Sequence, residues 1–112
     1  MFFNNNKISK SPDKVIVHFL KTFDAIADFG YAKGDYFDII PKDAMSFTDL
    51  GKSLYSYLAN LKESNWSIDS GKKDSKVWLV RYSSDKDHKY IDFNVVTDPC
   101  DTRKLAIFIE RH

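Results

Sequence analysis

The pattern of apolar residues changes period near Asn65, and that change limits what the chain can fold into more than any other feature. Before it, apolar side chains recur at helical spacing; after it, they alternate. Leu50, Leu54, Leu58 and Leu61 repeat at four, four and three residues, which sets them along one stripe of a helix over about 48–63. Thr48 or Asp49 is placed to cap it. Tyr57 lies beside the stripe, while Lys52, Ser53, Ser56, Asn60 and Glu63 fall on the opposite, water-facing side. Such a helix is amphipathic and has to pack on something.

What it packs on is read from the second half. The segments 66–69, 76–82, 89–96 and 104–110 carry apolar and β-branched residues at period two, so four short strands are expected. Their connectors, Asp69 to Ser75, Ser83 to His88 and Thr97 to Arg103, are short and polar. Loops of that length suit antiparallel hairpins and leave no room for parallel crossovers, so the strands form a meander. Within it Ile91, Phe93 and Val95 share one face and Tyr90, Asp92 and Asn94 the other, so one side of the sheet is wet and the other covers helices.

Upstream, Val15, Phe19, Phe23, Ile26 and Ala27 recur at helical spacing, with Ser11 or Asp13 as cap and Gly30 as the closing residue. A helix over about 13–29 follows. Lys33-Gly34-Asp35 is a turn signal, and Tyr36 to Ile40 reads as a short strand or an extended entry to the next helix. The expected fold is therefore α+β, with two main helices on a four-stranded antiparallel meander. Residues 1–12, rich in Asn, Lys and Ser, read as a flexible arm ahead of a single domain over 13–112.

Composition removes several function classes. A chain of 112 residues fits one domain, and 43% hydrophobic content with nine Phe, six Tyr and two Trp fills a core without disulfide or metal support. The single Cys100 cannot form an internal bridge, which points to an intracellular, cytoplasmic setting. No window reaches the roughly 20 apolar residues of a membrane helix, and the opening residues lack the apolar core of a secretory signal. Seventeen basic against sixteen acidic residues leave a net charge of +1, which neither demands nor excludes a nucleic-acid partner.

Residues with catalytic chemistry are sparse. His18, His88 and His112 form no HxxxH or HxH pair, and the four glycines stand singly, so neither a metal site nor a phosphate-cradling loop is expected and no cofactor is assigned. Asp98 and Asp101 bracket Pro99-Cys100, and the segment reads as a polar turn. His88 or His112 with an Asp from elsewhere supports only the weakest class considered, a small hydrolase or nuclease.

A more informative constellation is the leucine-striped helix followed by Trp66, Ile68 and the lysine-rich hairpin from Ser70 to Arg81. Over residues 13–82 this resembles the recognition helix and wing of winged-helix DNA-binding domains. The resemblance implies a supporting helix from Val15 to Phe29 and a short second helix from Ile40 to Met45. It implies that Thr48, Lys52, Ser53, Tyr55 and Ser56 face a major groove, with Lys72, Lys73 and Lys76 on phosphates. Asp49, Glu63 and the two strands beyond the wing depart from that pattern. Read without it, the leucines are core and the lysines keep a hairpin tip soluble. Two leading functions follow: a winged-helix-like regulator or accessory factor bound to duplex DNA, or a protein-binding inhibitor, antitoxin or immunity-type module. For the second, Tyr31, Tyr36, Phe37, Tyr55 and Tyr90 are the candidate anchors.

Overall fold

The structure is a computed structural model that describes residues 12–33, 35–61 and 66–112, leaving aside the side chains of 27–33 and of 70. Its described elements run α1 Pro12–Thr22, β1 Ile26–Lys33, β2 Tyr36–Pro41, α2 Phe47–Ala59, β3 Ser67–Lys73, β4 Val77–Ser84, β5 Lys89–Thr97 and β6 Leu105–Arg111. All six strands join one antiparallel sheet in the order β1-β2-β6-β5-β4-β3.

The helix α2 forms where the leucine stripe places it, though its cap lies two residues earlier than expected. Ser46 Oγ accepts from the Asp49 backbone N–H at 3.1 Å, and the Asp49 carboxylate accepts from the Ser46 N–H at 3.4 Å, closing a reciprocal capping box. The helix ends at Asn60; Leu61 is half-buried just beyond it, and residues 62–65 lie outside the described ones. Leu50, Leu54 and Leu58 are wholly buried. They enter one core with Val15, Ile16, Phe19 and Leu20 of α1, Phe37 and Ile39 of β2, Val80 and Tyr82 of β4, and the inward residues of β5 and β6. Both helices therefore lie on the same side of the sheet, α2 across β3, β4 and β5. Close approach there depends on missing side chains, since a Cβ at Gly51 would sit 2.2 Å from Trp78 Cδ1 and one at Gly71 would sit 2.8 Å from the Tyr55 ring.

The expected four-stranded, winged-helix-like arrangement is corrected: the sheet has six strands. The meander of the second half forms as β3 to β6, but the first helix stops at Thr22 instead of 29. Thr22 Oγ1 donates to the Phe19 carbonyl, and the Phe23 and Ile26 amides donate to Leu20 and Phe23 carbonyls, turning the chain out of the helix. Residues 26–33 then pair with 36–41 as a hairpin, so Gly30 lies inside a strand opposite Asp38 and closes no helix. The expected short helix from Ile40 to Met45 is also absent; Ile40 and Pro41 finish β2, and residues 42–46 are not helical. Strand β2 in turn pairs with β6, which closes the meander onto the hairpin. The proposed N-terminal arm falls on residues 1–11, outside the described ones, while Pro12 opens α1, where its fixed φ suits the first helical position.

Candidate docking face

Directly opposed residues in an antiparallel sheet share a face, so the strand register lays out the side away from the helices as rows. Val77, Val96, Ala106 and Asp38 make one row, and Lys72, Leu79, Asn94, Phe108 and Tyr36 the next. Arg81, Asp92 and Glu110 form a third row. Ser83 and Tyr90 form a fourth, which reaches His112 through the paired Tyr90 and His112 backbones. No described helix or strand lies over these rows.

The face divides into two halves. One half is apolar and aromatic: Val77, Leu79, Val96, Phe108 and Tyr36 are each partly exposed, and Ile40 at the edge of β2 is 38% exposed. The other half is an ion-paired network. Arg81 Nε and Nη2 donate to the two Asp92 oxygens at 2.7 and 2.9 Å, a bidentate geometry that fixes both groups. The same guanidinium lies 4.0 Å from the Tyr90 ring centroid, and Tyr90 stacks on His112 with centroids 4.6 Å apart. Beneath this roof Asp92 is only 4% exposed. Asn94 Nδ2 donates to the Glu110 carboxylate at 3.1 Å and to the Phe108 carbonyl at 3.3 Å.

The sheet brings together groups that no sequence spacing linked. Ligand atoms of Asp92, Glu110 and His112 lie within 4.8 Å of one another, and His112 Nε2 is 3.6 Å from Asp92 Oδ2. Arg81 occupies both Asp92 oxygens, which supplies the counter-charge that a cation would bring and denies the carboxylate a free role as base. The other two histidines stand apart, His18 accepting or donating at 2.8 Å to the Tyr57 hydroxyl and His88 in the exposed β4–β5 turn with φ 54°.

The residues expected to contact DNA are dispersed. Lys52 and Ser56 are exposed on the outer side of α2, Ser53 and Thr48 are half-buried, and Tyr55 turns inward over Gly71. Lys72 opposes Leu79 and so points to the open face, whereas Lys73 opposes Trp78 and points to the helix side, where its ammonium lies 5.8 Å from the Phe47 ring. Lys76 is exposed in the hairpin turn, which Asp74 organises by accepting the Lys76 and Val77 amides. Those bonds hold the Asp74 carboxyl below the ordinary aspartate range. The lysines of the expected wing thus divide between the two sides of the sheet and interleave with a carboxylate.

The expected protein anchors also separate. Tyr36 and Tyr90 lie on the open face; Phe37, one residue from Tyr36, is wholly buried in the core. Tyr55 packs between α2 and β3, and the Tyr31 side chain lies outside the described ones. Phe108, Leu79, Val96 and Val77 are the members of the face that sequence reasoning passed over, and the strand alternation of Tyr36 and Phe37 was the signal that could have separated core from surface. Burial pushes the Tyr36 phenol up from its ordinary range, followed by the Asp38 and Asp98 carboxylates, Asp38 also accepting its hydrogen bond. The Asp98–Cys100 segment is the polar turn expected, with Asp98 accepting the Cys100 and Asp101 amides.

Comparison of the chain with protein-family models, with curated proteins and with solved structures finds no match. Among the described residues no helix is long and apolar enough to cross a membrane.

Proposed function

We propose that this chain is a non-catalytic protein-binding module of the inhibitor, antitoxin or immunity type, and that it docks its partner through the open sheet face. The observation that carries this reading is the row of Leu79, Asn94, Phe108 and Tyr36 beside Val77 and Val96, an apolar and aromatic surface that no described element covers. Contiguous exposed apolar area rimmed by charged groups is a feature of protein interfaces, and Tyr and Arg are the residues that most often anchor them. Tyr36, Phe108 and Tyr90 are the anchors; Arg81 and Asp92, paired within the face, hold the charged rim rigid. A reducing compartment suits the exposed, free Cys100.

A photo-crosslinking residue at Phe108 and, separately, at Ser56 tests this reading in the cells that make the protein. The expected result is a covalent adduct with one protein, identifiable by mass spectrometry, from position 108 and none from 56. Equal adducts from both positions would contradict it. So would salt-sensitive binding of random duplex DNA that Lys72→Ala with Lys73→Ala abolishes.

A further inference from the structure

Resting on that docking reading, we propose that the aromatic half of the open face receives a basic, extended segment of the partner, with an arginine at each end and an apolar residue between them. Tyr36 and Phe108 oppose each other directly on β2 and β6. Asp38 lies two residues from Tyr36 along β2, and Glu110 two residues from Phe108 along β6, in the opposite direction. The four side chains share one face, so the aromatic pair has a carboxylate row on either side of it. Each step of two residues along a strand is roughly 6.8 Å, and the carboxylate rows are therefore roughly 14 Å apart along the strands. An extended segment reaches across that span with side chains i and i+4, while its residue i+2 falls over the aromatic pair.

Charge fixes the sign of what binds. On this face Arg81 is paired with Asp92, Arg103 of the β5–β6 loop is paired with Asp101, and Lys72 is exposed on β3, three strands away from Phe108. Among the described residues no ion pair reaches Asp38, Asp98 or Glu110. Asp98 adds its field to that of Asp38 at Tyr36. The exposed lysines of the helical layer, Lys14, Lys21 and Lys52, lie on the other side of the sheet. A chain of net charge +1 therefore presents, beside Tyr36 and Phe108, carboxylates that no ion pair reaches among the described residues. Arginine is the cation that suits both neighbours, because its planar guanidinium pairs a carboxylate in two-pronged fashion and stacks on an aromatic ring.

The probe is a fluorescein-labelled peptide with the core Arg-Thr-Val-Thr-Arg, titrated with the full chain and followed by anisotropy at low and moderate salt. Its counterpart carries Glu in place of both Arg. The expected result is saturable binding of the arginine peptide that weakens with salt and that Asp38→Asn with Glu110→Gln reduces roughly five- to tenfold, as two partly exposed ion pairs would. Lys52→Glu, on the far side, should leave it unchanged. The paired amide substitutions keep side-chain shape, and an unaltered thermal midpoint verifies that the variant is folded. Equal binding by wild type and the amide variant, equal binding of the glutamate peptide, or no binding of the arginine peptide would each overturn the inference. If a Phe108 photo-adduct nevertheless forms, the docking face stands and only its preference for a basic partner falls; if both fail, the docking reading itself fails.

Discussion

Val80, Phe93 and Ile107 are one residue away from Arg81, Asn94 and Phe108 on the same three strands, yet the first three are sealed in the core and the second three look outward. Both sets lie in the same antiparallel ladder. The difference lies in what covers each side. The helix-covered face is fastened by Leu50, Leu54 and Leu58 and by the notch at Gly51 that admits Trp78, so its side chains are fixed by volume. The open face is organised by bidentate, stacked and cross-strand polar contacts that hold Asp92 and Asn94 nearly as buried as core residues while leaving Tyr36 and Phe108 accessible. Stability is thereby concentrated on one side of the sheet, and the other side is free to carry recognition.

The comparison can be broken by substitutions that should separate the two sides. Leu54→Ala, on the covered face, is expected to cost about 2–5 kcal/mol in denaturant unfolding, since it opens a cavity beneath α2. Leu79→Ala, on the open face, should cost under about 1 kcal/mol in the same measurement; similar losses at both positions would erase the distinction. Gly51→Ala sharpens it further. Alanine improves helix propensity by about 1 kcal/mol, yet its Cβ would strike Trp78, so a net loss of about 1–3 kcal/mol is expected. A stabilised variant would mean that α2 does not sit so closely on β4. Ser46→Ala removes the cap of the same helix and should cost about 1 kcal/mol, with earlier melting in circular dichroism.

The smallest effect concerns two tyrosines, one on each side. Tyr36 is raised by burial and then by Asp38 and Asp98, whereas Tyr57 is raised by burial alone. Asp38→Asn should therefore shift the ultraviolet titration of Tyr36 back toward its ordinary range and leave Tyr57 where it is. The sign for stability follows from linkage. A phenol whose folded pKa is raised contributes stability that is present below its unfolded value and lost as pH rises through the folded one; Asp38→Asn lessens the rise, so the stability lost between neutral and alkaline pH should be smaller than in the wild type.

Those elements whose periodicity was local were legible in the sequence. The leucine stripe of α2 and the alternation within β4 and β5 needed no distant contact to be recognised. Helix α1 was overextended because Ile26 and Ala27 continue the spacing of Phe19 and Phe23, and only pairing of 26–33 with 36–41, a hairpin whose second strand is anchored on β6 from the far end of the chain, makes that stretch a strand. Two features depend on that distant pairing: the six-stranded extent of the sheet, and the position of β2, which carries Tyr36 and Asp38, beside β6, which carries Phe108 and Glu110. Within β6 the run Leu105 to Ile109 is continuously apolar, so its outward Phe108 was hidden among core residues. Tyr36 and Tyr90 were legible as candidate anchors, but Phe37 was grouped with Tyr36 although neighbouring strand residues point to opposite faces.

Hydroxyl-radical footprinting of the full chain, alone and with the arginine peptide, tests the central claim most directly. Tyr36 and Phe108 should oxidise readily in the free protein and become protected on peptide addition, while Tyr57 and Phe23 on the helix side keep their free rates. Protection of Tyr36 and Phe108 already in the free chain, or peptide-induced protection confined to the helix side, would contradict the claim that the uncovered sheet face is where a partner docks.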